Sequence, residues 1–239
     1  MKVMFVGPTV PDARRLGLDL DLRAPVLQGD VRRAVDEGAS IIGLIDGGFE
    51  YTAPVWHKEI LYALSLGVTV LGAASMGALR AAECHGFGMI GVGEIFRLYR
   101  DGVLIDDSDV AQSHAPEELG WTGITEPLVN VRATLDNPAL AAQQAGETLR
   151  ALRTCAEALH FKDRTWRAIV RGAVLPEGLD PTGLLALLLH HRIDQKRRDA
   201  LDLFAMAEAL PDMRTAPPCN WQFQETSLWR QSLDPKARA

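Results

Sequence analysis

Three short apolar runs, each closed by turn residues, punctuate the first third of the chain: Val3 to Val6, Ile41 to Ile45 and Val68 to Leu71. Runs of this length without polar alternation fit strands buried on both faces, as in parallel sheets. Between the second and third, Val55, Ile60, Leu61, Ala63 and Leu64 recur at helical spacing within Pro54 to Leu66, and Gly67 stops the helix. A shorter helix is expected over Asp30 to Glu37, N-capped by Asp30 and ended by Gly38. Such alternation predicts βαβ units with right-handed crossovers, hence an α/β fold with a mainly parallel sheet and flanking helices. The alternating stretch Leu18-Asp19-Leu20-Asp21-Leu22 reads as an edge strand.

After the third strand, helices are expected over Met76 to Glu83 and Val92 to Arg100, the latter with Ile95, Phe96 and Tyr99 on one face. The acidic turn Asp106-Asp107-Ser108-Asp109 is expected to join two short extended pieces. Glu126-Pro127 opens a helix toward Leu135 because proline is tolerated in a first turn, and Asp136-Asn137-Pro138 closes it. A domain boundary is placed there. Beyond it the pattern is helical over Ala139 to His160, Asp163 to Gly172 and Thr182 to Leu210. The segment from Pro211 onward, with Pro217-Pro218, Trp221 and Trp229, reads as an extended arm on the body or on a second subunit. The expected division is an α/β core over 1–136, a helical C-terminal region over 137–210 and a tail over 211–239.

Composition narrows the function classes. A hydrophobic share of 47% with 23% charged residues is a globular balance. A formal net charge of −6 disfavours a nucleic-acid binder, which needs clustered Lys and Arg. Cys84, Cys155 and Cys219 are odd in number and widely spaced, so reduced thiols are expected rather than a disulfide framework or zinc set. The longest later apolar stretch, Gly183 to Leu189, falls well short of the ~20 residues of a membrane span. The N-terminus leads straight into the first apolar run, and a cytoplasmic protein without membrane attachment is expected.

Ligands of an open α/β sheet bind beyond the carboxyl ends of the strands. Thr9, Asp46 through Glu50, and Ser75 follow the first, second and third strands respectively. The segment Gly72-Ala73-Ala74-Ser75-Met76-Gly77-Ala78 sets a serine among small residues at a strand-to-helix turn. Without the G-x-S-x-G spacing it still follows the logic of a nucleophile elbow. The Met76 and Gly77 amides are then candidate oxyanion donors; the plainer alternative is that Ser75 only caps the helix. Lys58, early in the preceding helix, would meet Ser75 if the second and third strands are neighbours, forming a Ser–Lys pair. His57 is a second candidate base, and Asp46 could orient the amine or cap backbone groups. No metal site is suggested, since His190 and His191 are adjacent and no H-E-x-x-H or paired C-x-x-C occurs. No G-x-G-x-x-G or Walker pattern follows the first strand, and no cofactor is expected.

The segments Val6-Gly7-Pro8-Thr9 and Gln28-Gly29-Asp30, the long run from Val55 to Glu83, F-R-L-Y-R-D-G from Phe96 and E-P-L-V-N-V-R-A-T-L from Glu126 together resemble the TfuA family. The resemblance spans Val3 to Leu135. It implies an accessory of YcaO enzymes, which activate a peptide backbone amide with ATP so that sulfur replaces its oxygen. It further implies hydrolysis of the C-terminal thiocarboxylate of a ubiquitin-like sulfur-carrier protein, with release of sulfide, and help to YcaO in engaging its peptide. Carried onto this chain, the resemblance makes Ser75 the nucleophile and Lys58 its lysine. A noncatalytic adaptor that docks YcaO and its peptide is the alternative, and a simple acyl hydrolase a third. Self-association is left open.

Overall fold

The computed structural model describes residues 1–232 of the 239-residue chain. Five strands, β1 (Lys2–Phe5), β2 (Asp21–Arg23), β3 (Ile41–Leu44), β4 (Thr69–Ala73) and β5 (Ile90–Val92), form one parallel sheet in the order β2-β1-β3-β4-β5. The three apolar runs are its centre. The weakly patterned Leu18–Leu22 stretch contributes the edge strand β2, shifted toward Arg23. β5 has no counterpart in the apolar pattern: Ile90-Gly91-Val92 is short, and its strand state is fixed by pairing with β4.

Side chains alternate across a strand, so each run feeds two cores. Val3, Phe5, Ile42, Leu44 and Val70 face one side, covered by α1 (Asp30–Asp36), α2 (His57–Ser65) and α3 (Met76–Cys84). Ile95 and Phe96 of α4 (Gly93–Arg100) complete this core. Met4, Ile41, Ile45 and Leu71 face the other side. A third core joins α5 (Leu128–Leu135), α6 (Pro138–Ala141), α7 (Gly146–Ala158), α8 (Trp166–Gly172) and α9 (Pro181–His190), and its buried side chains include Val131, Leu152, Trp166 and Leu188. Beyond it, α10 (Gln195–Ala209) returns to the sheet, where its Ala200, Leu203, Phe204 and Ala207 pack against Met4, Ile41, Ile45 and Leu71. The second face of the sheet is thus covered from the far end of the expected helical region.

Several boundaries differ from the pattern. Ala139 to His160 is broken between α6 and α7, and Thr182 to Leu210 is broken at residues 191–194, where Asp194 caps α10 by accepting from the Arg197 N–H. Asp30 is not the cap of α1: Gly29, at φ 96°, holds that position, while the Asp30 carboxylate accepts from the Leu27 N–H. The acidic turn is a single 3-10 turn, Asp107–Asp109, with Asp106 accepting from the Ser108 N–H.

The arm runs back over the helices of the first face. Arg214 donates to the carbonyls of Val35 and Ala39, Trp221 to that of Phe87, and α11 (Ser227–Ser232) buries Trp229 against Tyr62 and Trp56. The last part of the expected tail, 233–239, lies outside the described residues. Among the described residues no helix is long and apolar enough to cross a membrane.

Candidate active site

The strand order reverses direction at β1 and β3, and the crevice outside such a switch point is where doubly wound sheets receive ligands. A cavity of about 700 Å³ lies there. Its floor comes from the segments after three neighbouring strands: Pro8 after β1, Asp46 to Gly48 after β3, and Ser75 and Met76 after β4. The 110–121 loop and Phe161 and Lys162 of the helical region form further walls.

Ser75 stands on a tight elbow. Its N–H donates back to the Ala73 carbonyl at 2.9 Å, and Ala74 between them has φ 66°, a left-handed conformation that costs a non-glycine residue about 1–3 kcal/mol. Ala74 is fully buried, which holds it there. Although Ser75 occupies the N-cap position of α3, its hydroxyl makes no capping hydrogen bond. Among the described residues no side-chain hydrogen bond of Ser75 occurs, which leaves Oγ available to the cavity.

The two expected oxyanion donors part ways. Met76 is the first residue of α3, so its N–H has no acceptor within the helix. The Gly77 N–H instead donates to the Ile45 carbonyl at 3.2 Å and serves to join α3 to the end of β3. A Cβ at residue 77 would overlap the Leu44 carbonyl oxygen, so only glycine allows this approach.

Asp46 is buried on the cavity wall as a fixed anchor. Its Oδ2 accepts from the Gly7 and Thr9 N–H groups at 2.9 and 3.0 Å, and its Oδ1 accepts from the Thr9 hydroxyl at 2.5 Å. These bonds pin the β1 loop to the β3 loop, a backbone-capping role rather than contact with Lys58.

Lys58 and Ser75 are not brought together in the cavity. Lys58 is absent from the residues lining it, and its ammonium lies 4.6 Å from the centre of the Phe223 ring, under the C-terminal arm. His57 turns to Glu83, with Nε2 2.7 Å from Oε2, and Arg80 donates to the same oxygen at 2.7 Å. The strand adjacency expected for β3 and β4 is present, but α2 begins only after a long loop, and its first turn sits beside the arm.

The amine that does line the cavity is Lys196, in the first turn of α10. It is 2% exposed, and its Nζ donates to the Val110 carbonyl at 3.0 Å and reaches the Gln112 Oε1 at 3.5 Å. Both acceptors are neutral. Among the described residues no carboxylate lies within ion-pair distance of it. Burial pushes its pKa below the ordinary lysine value, opposed by the negative charges of Asp46 and Asp194. A sequence signal for it exists. Lys196 precedes Ala200, Leu203 and Ala207 at helical spacing and so occupies a core-facing position of an amphipathic helix.

One wall of the cavity is a clasp between the β3–α2 loop and the helical region. Lys162 Nζ lies 2.6 Å from Glu50 Oε2 and 2.7 Å from the Tyr51 hydroxyl, and the Phe49 and Phe161 rings meet edge to face. Among the described residues no cluster of three His, Cys, Asp or Glu is placed to hold a metal ion.

A family model described as TfuA-like protein matches residues 46–165. The matched stretch includes Asp46, Lys58 and Ser75 and stops short of Lys196. No curated protein matches the chain.

Proposed function

The chain belongs to the TfuA-like protein family, and from that premise we propose that it serves a YcaO enzyme in peptide thioamidation by hydrolysing the C-terminal thiocarboxylate of a small sulfur-carrier protein. The observation that carries this reading is the uncapped Ser75 hydroxyl in one cavity with the buried, charge-disfavoured amine of Lys196.

In the proposed reaction, neutral Lys196 takes the Ser75 proton as Oγ attacks the thioacyl carbon. The Met76 N–H stabilises the oxyanion. Collapse forms the Oγ–C ester and breaks the C–S bond, and the proton held by Lys196 passes to sulfur, which leaves as HS⁻. Water then attacks the ester, returning the Ser75 hydroxyl and a carboxylate and releasing one proton. Gly47 and Gly48 let the β3 loop pack tightly at the cavity wall, since a Cβ there would meet Met76 and Val26 or Thr52 and Leu27. Lys58 takes a structural part, holding the arm through Phe223.

The test is sulfide release from a thiocarboxylated carrier with YcaO absent. Ser75→Ala and Lys196→Met are expected to lower turnover by at least about 10³-fold with the fold retained, on the scale of losing a nucleophile or its base. Lys58→Met is expected to keep turnover within about threefold of wild type by the same scale. Loss in Lys58→Met with retention in Lys196→Met would return the lysine role to Lys58. Absence of any release from the wild type would leave the noncatalytic adaptor.

A further inference from the structure

An acyl group attached to a folded protein closes the opening through which its own tail enters. Behind that plug two small species must still move: HS⁻ has to leave before it re-attacks the ester, and a water has to reach the ester. A pocket with one mouth would trap the first and exclude the second.

The crevice has a second chamber. A smaller cavity of about 360 Å³ meets the large one along Gly48, Phe49, Glu50, Met76, Leu79 and Asp107. It adds Pro54, Arg80 and Glu83. Met76, Leu79, Arg80 and Glu83 follow the three- and four-residue spacing of one helix face, so this chamber is a groove along α3 leading away from Ser75. Its inner end sets Phe49, Met76 and Leu79 beside two carboxylates, Glu50, which is paired with Lys162, and Asp107, and its outer end reaches solvent at the exposed residues Pro54 and Glu83. Met76, next to Ser75, Gly48 and the half-buried Leu79 are shared with the large cavity and form the junction between the two.

Charge at the outer end suits passage without retention. The Arg80 guanidinium is fixed by donation to the Val55 carbonyl at 3.1 Å and to Glu83. The Glu83 carboxylate, which also meets His57, offsets that positive charge. An unpaired arginine would hold a departing anion; a paired one lets it go.

We infer that the α3 groove past Leu79 is the exit for the sulfide leaving group and the inlet for the hydrolytic water, used while the acyl chain fills the larger mouth. This rests on the hydrolase reading above, and it requires that the need for the groove depend on substrate size.

The test compares two substrates on the full chain: a small folded protein carrying a C-terminal Gly-Gly thiocarboxylate, and thioacetate, which leaves the large mouth open. In Pro54→Trp, at a residue that lines the groove and not the large cavity, turnover of the protein-linked substrate is expected to fall about tenfold or more, the scale on which release comes to limit a cycle. Thioacetate turnover is expected to stay within about twofold on that scale, and doing so also reports an intact site. Glu83→Trp, at the exposed outer end of the groove, is read in the same way should the loop variant misfold. Equal slowing of both substrates by the variant that folds, or no slowing of the protein-linked one, overturns the exit assignment. Undiminished release by Ser75→Ala would instead overturn the nucleophile, which is a separate failure.

Discussion

At the scale of single residues, burial decides which groups have chemistry to offer. Lys196 and Lys58 are the same side chain in two environments, one desolvated against neutral acceptors and one laid over an aromatic ring. Because burial lowers the Lys196 pKa, the amine stays neutral at pH values where an exposed lysine is protonated. Turnover should therefore fall on the acid side as pH drops through that lowered value, a limb readable in kcat/KM. A rate without any acid limb below the ordinary lysine range would contradict a base of this kind. Lys196→Met removes a buried amine while keeping its volume, so the urea midpoint is expected to stay level or rise as turnover is lost. Gly77 shows the opposite constraint, set by space rather than charge. Gly77→Ala must move α3 off the end of β3, at a cost of about 1–3 kcal/mol or more. Urea denaturation measures the cost, and displacement of Ser75 should appear as lost turnover.

At the scale of elements, buried carboxylates tie helix ends to their neighbours. Glu59 of α2 accepts from the Gly29 N–H at 2.7 Å and so closes the start of α1, and Asp199 of α10 accepts from the Ile95 N–H at 2.7 Å in the first turn of α4. Both pKa values are raised, chiefly by burial, with backbone hydrogen bonds opposing. A raised folded value means that the folded state holds the proton more tightly than the unfolded chain. The stabilisation from Glu59 is then full below its ordinary range and declines as pH rises through the raised value. The stability difference between wild type and Glu59→Gln should shrink over that window; growth over the same window would reverse the sign. Removing the acceptor altogether in Glu59→Ala leaves the half-buried Gly29 N–H without it and is expected to cost about 1 kcal/mol in urea unfolding.

At the scale of the whole molecule, the chain returns to its beginning. α10 covers the sheet face that β1, β3 and β4 leave open and brings Lys196 into the crevice at their carboxyl ends. Leu203, fully buried at the centre of that contact, should cost about 2–5 kcal/mol on replacement by Ala. A fragment ending at Arg164 would keep most of the family-matched stretch and lose both the covering helix and the amine. It is expected to show no cooperative unfolding transition by circular dichroism and no sulfide release. A stable, active fragment would place the essential contacts within the first two thirds of the chain.

The apolar runs, their spacing and the turn residues between them determined the parallel strands β1, β3 and β4 and their crossover helices, because burial on both faces writes itself directly into local hydrophobicity. They also put Ser75 at a strand-to-helix turn. β5 was decided by pairing with β4, and the break at 191–194 by the Asp194 cap inside a stretch of otherwise helical composition. Which lysine lines the crevice was decided only in three dimensions. Lys196 stands 121 positions beyond Ser75 in the numbering, and no local pattern encodes which distant helix will close a sheet face. Desolvation, which sets the amine's basicity, belongs to the packed molecule and not to the residue.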